Sequence, residues 1–209
     1  MANHQDKCFI AVAGNIGAGK STLTRMLSDS LGWKPFYEAA AENPYLADFY
    51  ADMRTWSFHS QVFYLGKRLE HHRLLVDHPY SVVQDRTVYE DAEIFATNLY
   101  EQGLMAERDY DAYRSLYRAV SSFLPPPDII VYLKATTKTL LKRIQRRGYA
   151  YEKGIAPEYI EQLNRLYERW ISDWTACPVL TIQVDGIDFQ HNLVDLAAVV
   201  HEIKDAVSL

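Results

Sequence analysis

Short apolar runs alternate with longer segments of helical periodicity along almost the whole chain. The apolar runs predict five strands, over residues 8–13, 33–37, 80–84, 128–133 and 179–184. Between them, apolar residues recur every three or four positions, which predicts helices. The first ends at Gly32, the second opens at Asn43-Pro44, and the last includes Leu193 to Ile203. The others span about 54–76, 88–102, 107–123, 137–147 and 157–174. This alternation predicts an α/β fold, with a parallel five-stranded sheet flanked by helices.

Composition narrows the class of protein. At 209 residues, with 48% hydrophobic and 13% aromatic residues, the chain is long and apolar enough for a single domain, which we place at 1–209. A net charge of −5 argues against nucleic acid as a partner. Cys8 and Cys177 are too few for a disulfide framework, and neither an apolar leader nor a run of membrane-spanning length is recognisable. We therefore expect a cytoplasmic protein without a membrane partner.

The most specific motif is a phosphate loop at residues 14–21. Gly14-Asn15-Ile16-Gly17-Ala18-Gly19-Lys20-Ser21 fits G-x-x-x-x-G-K-[ST] and lies between a predicted strand and a predicted helix. In such loops the backbone N–H groups and the helix N-terminus hold phosphates. We expect Lys20 to reach the β- and γ-phosphates and the Ser21 hydroxyl to bind Mg²⁺, with Thr22 next to it. The chain is therefore predicted to bind a nucleoside triphosphate.

Two classes of phosphate-loop protein compete for this sequence. A regulatory GTPase needs a late Asn-Lys-x-Asp, which is absent, and its Asp-x-x-Gly occurs only as Asp29–Gly32, in the wrong place. A small-molecule kinase needs a base near the acceptor hydroxyl, an anion clamp and a mobile lid. Glu38 and Asp85-Arg86 both follow predicted strands, where the sites of parallel sheets lie, so a kinase is favoured.

Several further motifs occur in a fixed order after the phosphate loop. They are Tyr37-Glu38, Trp56-Ser57-Phe58-x-x-Gln61, Asp85-Arg86-Thr87-Val88-Tyr89-x-Asp91, Ile94-Phe95-Ala96-x-Asn98-Leu99-Tyr100, Arg147-Gly148-x-x-x-Glu152, and Gly154-Ile155 followed by Pro157-Glu158-Tyr159. In this order they resemble the deoxyribonucleoside kinase family, in the branch with deoxycytidine, deoxyguanosine and bacterial deoxyadenosine kinases. The resemblance extends to Phe189. It implies a phosphate-loop kinase with an arginine-bearing lid at about 142–156, ATP as phosphate donor, Mg²⁺ and a homodimer.

The resemblance assigns the catalytic groups. It implies that Glu38 accepts the proton of the nucleoside 5′-hydroxyl, whereas Glu42 is a much weaker candidate. Arg86 would hold the base and the transferring phosphoryl group, together with Lys20. Asp85 would complete the Mg²⁺ shell; the family usually has Glu there, so the shorter side chain favours contact through a water.

The same resemblance assigns the nucleoside pocket. Gln61 would pair with the base edge, with His59 as the alternative if the helix register differs, and Phe95 would stack on the base. Arg68 and Asp91 match a pair found over the base in members that prefer cytosine or purines.

The sugar and the phosphate donor have their own residues in this resemblance. Tyr50 and Glu152 match the partners of the sugar 3′-hydroxyl. In the lid, the residues matching Arg143 and Arg147 clamp the triphosphate, whereas Tyr149 stands where a third arginine is usual. Asp188-Phe189 matches the segment that holds the ATP adenine.

The function we expect is transfer of the ATP γ-phosphate to the 5′-hydroxyl of a deoxyribonucleoside. A purine deoxynucleoside is favoured, with deoxycytidine next. A thymidine-preferring relative, a thymidylate-type monophosphate kinase and a non-catalytic nucleotide-binding switch are the alternatives. The histidines show no metal-ligand spacing, and His71-His72 is expected to be solvated.

Overall fold

A computed structural model describes residues 7–37, 42–152, 154–189 and 191–207. Its sheet has five strands: β1 (Phe9–Gly14), β2 (Lys34–Phe36), β3 (Val82–Asp85), β4 (Ile129–Lys134) and β5 (Val179–Gln183). Every neighbouring pair is parallel, and the strand order is β2-β3-β1-β4-β5. The predicted parallel sheet is confirmed, and its central strand leads into the phosphate loop.

Helical segments connect these strands. They are α1 (Lys20–Leu31), α2 (Leu46–Ala51), α3 (Met53–Asp77), α4 (Val88–Glu90), α5 (Thr97–Glu101), α6 (Glu107–Ser121), α7 (Thr137–Arg147), α8 (Pro157–Asp173) and α9 (Leu193–Ala206). A π-helical segment (Asp91–Ala96) joins α4 to α5, and a 3₁₀ turn (Ala150–Glu152) follows α7. Within the described ranges, no helix is both long and apolar enough to cross a membrane.

The position of β1 in the hydrophobic core explains why its residues are almost all apolar. All six of its residues are buried, because β1 has strands on both edges and helices on both faces. The edge strand β5 instead alternates, with Ile182 buried and its neighbours Thr181 and Gln183 exposed. Burial on both faces makes β1 a rigid base for the loop that leaves its carboxyl end.

Three sequence expectations need correction. Helix α2 begins at Leu46 rather than at Pro44, because the Asn43 side chain accepts a hydrogen bond from the Tyr45 N–H and holds a turn there. The predicted continuous helix 88–102 contains the π-helical segment. His72 is 2% exposed, with its ring edge-on to Phe9, so the expectation of a solvated side chain was wrong.

Gly14 provides a test of how tightly the loop is packed against the sheet. Its φ of +148° disfavours a side chain, and a Cβ atom there would lie 2.9 Å from the Leu133 carbonyl oxygen. Gly32, the C-cap of α1, also has a positive φ but has open space around its Cα. We expect Gly14→Ala to lower the free energy of unfolding by about 2–3 kcal/mol and Gly32→Ala by about 1 kcal/mol, as measured by urea denaturation. Equal losses would show that packing at Gly14 adds nothing to the backbone cost.

Candidate active site

The pairing of β1 with β3 brings the predicted phosphate and metal groups together. Val12 lies opposite Asp85 in the parallel register, so the phosphate loop and Asp85-Arg86 leave the sheet side by side. A cavity of about 400 Å³ opens over these strand ends, a volume typical of small-ligand sites. Its lining includes Lys20 and Ser21 at one end and Gln61, Asp91 and Phe95 at the other.

The phosphate loop is held in shape by its own hydrogen bonds. The Lys20 ammonium donates to the Asn15 carbonyl oxygen at 3.1 Å, and Lys20 is only 7% exposed. The Asn15 amide donates to Ile160 O and to Asn164 Oδ1 on α8, and its oxygen accepts from the Ile16 N–H. The loop is therefore anchored to α8 as well as to β1.

The two predicted Mg²⁺ ligands contact each other directly. Ser21 Oγ donates to Asp85 Oδ2 at 2.5 Å, and Asp85 is fully buried. A hydroxyl and a carboxylate are the hard oxygen donors that Mg²⁺ takes from proteins, alongside phosphates and waters. These two side chains therefore fit the ion in chemistry and in position.

Arg86 stands out by its backbone. Its φ is +66°, and no other non-glycine residue in the described part of the chain has a positive φ. This conformation costs about 1–2 kcal/mol, so the surrounding contacts must impose it. The Arg86 guanidinium is buried, lies 4.3 Å from the centre of the Phe95 ring and donates to the Tyr167 hydroxyl at 3.3 Å.

A fully buried carboxylate, Glu90, completes this region and was missed in the sequence. Its two oxygens accept hydrogen bonds from the Gly14 N–H, the Tyr167 hydroxyl, and the N–H and hydroxyl of Thr87. The only sequence signal was the spacing Thr87-x-x-Glu90, which fits the capping box that the structure has at the start of α4. Nothing in the sequence pointed to Tyr167.

The predicted Arg68–Asp91 pair is present and buried. Arg68 Nε lies 2.9 Å from Asp91 Oδ2, and both side chains are less than 5% exposed. Arg68 also donates to the Asp85 carbonyl oxygen at 3.2 Å, which ties the pair to the metal end of the site. The pair is therefore a fixed part of the cavity and not an exposed salt bridge between helices.

Gln61 lies in the cavity, whereas its alternative His59 is exposed. Among the described residues, the buried Oε1 of Gln61 has no hydrogen-bond partner. Leaving a buried amide oxygen without a hydrogen bond is unfavourable, and a ligand that carries a donor can supply the missing bond. Tyr50 and Tyr159 line the same cavity, and burial raises the pKa of the Tyr159 hydroxyl to about 12.

The lid residues pair with each other. Arg147 donates through Nε to Glu152 Oε2 at 3.1 Å and through Nη2 to Oε1, and its Cζ lies 4.8 Å from the centre of the Tyr149 ring. Tyr149, at the position where the resemblance implies a third lid arginine, thus packs on Arg147. Arg147, Tyr149 and Glu152 all line the cavity.

Arg143 and Phe189 join the phosphate loop to the segment before α9. Arg143 donates to the carbonyl oxygens of Ala18, Val184 and Ile187, and burial lowers its pKa. The Phe189 ring packs on Gly19, where a Cβ atom would lie 3.0 Å from it. The Asp188 N–H donates to Asp195 of α9.

Glu38, the predicted base, lies outside the described residues. Its weaker alternative Glu42 is exposed and pairs with Lys67 at 3.3 Å, away from the cavity lining.

A family model described as deoxynucleoside kinase matches residues 10–208. The chain belongs to the deoxynucleoside kinase family. One relative in this family is the deoxyadenosine/deoxycytidine kinase of Bacillus subtilis, 39% identical over 203 residues that cover 93% of this chain and 94% of the relative. Another is the deoxyguanosine kinase of the same species, 34% identical over 203 residues, 95% of this chain and 97% of the relative.

A solved structure supports the assignment of fold and family. The deoxyadenosine kinase of M. mycoides with bound dATP matches with a TM-score of 0.83 and 29% identity, over 94% of this chain and 99% of that chain. The predictions of the family, of the α/β phosphate-loop fold and of a deoxynucleoside kinase are confirmed. The roles of individual site residues, the single domain and the homodimer stay predictions.

Proposed function

We propose that this deoxynucleoside kinase transfers the γ-phosphate of ATP to the 5′-hydroxyl of a purine deoxynucleoside, with deoxycytidine as a second substrate. The observation that carries the substrate class is the base end of the cavity. There the buried Gln61 oxygen lacks a donor among the described residues, beside the buried Arg68–Asp91 pair. Adenine and cytosine both present an exocyclic amine as a donor. Thymine lacks this amine and carries a methyl group instead.

The substrates named for the relatives agree with this choice. Those of Bacillus subtilis are named for deoxyadenosine with deoxycytidine and for deoxyguanosine. A further M. mycoides structure, 30% identical, is described with the products dCMP and dCDP. These are properties of the relatives, and they support a pocket that takes purines and cytosine in preference to thymine.

At the phosphate end, the chain supplies fixed positive charge. Lys20 and Arg86 are both held in place by hydrogen bonds to neighbouring groups, so little reorganisation is needed when charge moves to the transferring group. Glu38 is the proposed base for the 5′-hydroxyl proton. Ser21 and Asp85 would hold Mg²⁺, which when bound neutralises charge on the phosphate oxygens. The lid pair Arg147 and Glu152 would separate to meet the triphosphate and the sugar.

Initial rates with ATP and Mg²⁺ test this function. The panel is deoxyadenosine, deoxyguanosine, deoxycytidine and thymidine, with dTMP and AMP as controls. We expect the purine deoxynucleosides to lead. Thymidine in first place would overturn the base-pocket argument, reaction of dTMP alone would favour the thymidylate-type alternative, and ATP binding without any phosphorylation would favour the switch.

Glu38→Gln tests the proposed base. We expect ATP binding to persist and kcat to fall at least about 100-fold, because a positioned general base contributes on the order of 10²–10⁴-fold. The matched control is Glu42→Gln, which removes an exposed carboxylate of the same segment and should leave kcat within about twofold. Near-normal turnover of Glu38→Gln would remove Glu38 as the base.

Arg68→Met with Asp91→Ala tests the specificity pair. Removing both partners avoids a lone buried charge, and we expect kcat/KM for thymidine relative to deoxyadenosine to rise about 10-fold or more. The matched control is Arg165→Met with Glu161→Ala, which removes an exposed pair on α8 and should leave the ratio unchanged. If the nucleosides keep their wild-type ranking, the pair does not select the base.

A further inference from the structure

Glu90, a carboxylate outside the cavity lining, joins the phosphate loop to Arg86 through the Tyr167 hydroxyl. Glu90 is 0% exposed. Its Oε2 accepts from the Thr87 N–H at 2.8 Å and serves the helix cap. Its Oε1 points the other way, 3.2 Å from the Gly14 nitrogen and 2.8 Å from the Tyr167 hydroxyl. The cap therefore uses one oxygen and leaves the other for the phosphate loop.

The Tyr167 hydroxyl is the centre of this junction. It lies 2.8 Å from the Gly14 carbonyl oxygen and 2.8 Å from Glu90 Oε1, and it accepts a hydrogen bond from Arg86 Nη1 at 3.3 Å. Burial raises the pKa of this hydroxyl well above its usual value, so it stays a neutral donor at any working pH. Through one atom it contacts the first residue of the phosphate loop, the buried carboxylate and the buried guanidinium.

The backbone of Arg86 shows that its position is imposed by its surroundings. Its φ of +66° is unfavourable, and its N–H donates to the Val12 carbonyl oxygen at 3.1 Å. Strain of this kind persists where several contacts fix a residue for a functional reason. The Tyr167–Glu90 junction supplies a side-chain contact that links Arg86 to Gly14.

We propose that Tyr167 and Glu90 are positioning residues for phosphoryl transfer, which hold the Arg86 guanidinium at a fixed place relative to the phosphate loop. The proposal rests on the proposed function, because it gives Arg86 its role at the transferring phosphoryl group. Neither residue lines the cavity. Their contribution is the alignment of one cation against the loop, and such alignment affects the chemical step more than substrate binding.

Tyr167→Phe is the cleanest test, because it removes the junction atom and leaves the Thr87–Glu90 cap intact. The ring contacts with Tyr132 and Trp170 are kept. We expect kcat to fall on the order of 10-fold while KM for the deoxynucleoside stays within about threefold. Tyr113→Phe is the control: Tyr113 is also 0% exposed, and its hydroxyl has no hydrogen-bond partner among the described residues. It should leave kcat within about twofold.

A double-mutant cycle shows whether Tyr167 acts through Arg86. In an Arg86→Lys background the planar guanidinium is already gone, so Tyr167→Phe should cost less than about threefold further. If Tyr167→Phe lowers kcat by the same factor in the wild-type and Arg86→Lys backgrounds, the proposal is overturned and Tyr167 is a packing residue. If Arg86→Lys is too slow to assay, the kinetic constants of Tyr167→Phe alone decide. A raised KM with an unchanged kcat would overturn the proposal.

Glu90→Gln extends the test to the carboxylate. The amide offers one acceptor oxygen to a site surrounded by four donors, so we expect a loss of kcat similar to that of Tyr167→Phe, again with little change in KM. Thermal melts of all variants are compared with Tyr113→Phe. If the wild type phosphorylates no deoxynucleoside, the proposed function fails; if it does and the variants match it, only the positioning role fails.

Discussion

The parallel pairing of β1 with β3 is the constraint on which the site depends. Because Val12 lies opposite Asp85, the phosphate loop and the Asp85-Arg86 turn leave the sheet at neighbouring positions. Ser21 Oγ donates to Asp85 Oδ2, and the Arg86 N–H donates to the Val12 carbonyl oxygen. Burial of β1 on both faces makes this spacing rigid, so two segments far apart in sequence are held side by side at the ends of their strands.

Much of this was predictable, because its signals are local or periodic. Strand and helix bounds differ from the predicted ones by no more than three residues, apart from the π-helical segment in 88–102. The glycines, lysine and serine of the phosphate loop have a spacing that is specific to this kind of loop. Asp85 could be placed near this loop because both follow strands of a parallel sheet. Gln61, at the other end of the cavity, could be placed only because the resemblance to a known family supplies contacts between distant segments. Strand order was not predicted, since no local sequence pattern shows which strand edges pair.

What escaped prediction depends on tertiary contacts between single side chains. Glu90 is the unspecified position of the motif Asp85-Arg86-Thr87-Val88-Tyr89-x-Asp91, and Tyr167 belongs to none of the motifs. His72 appeared polar in sequence but packs on Phe9. The π-helical segment has no compositional signal, although it begins at Asp91 and contains Phe95, both of which line the cavity. Such insertions occur often at functional sites, where they re-aim side chains.

The buried charges of the site are arranged as linked pairs. Arg68 contacts Asp91, Arg86 reaches Glu90 through Tyr167, and the Arg68 guanidinium also bonds the Asp85 backbone. A lone buried charge costs several kcal/mol, whereas a hydrogen-bonded pair offsets much of that cost. The cost of burying these charges is met during folding, so the two guanidinium groups are already fixed in the folded protein. Electrostatic stabilisation is most effective when the dipoles and charges need not reorganise during the reaction. Linked buried pairs thus let this fold hold guanidinium groups in fixed positions near the ends of its strands.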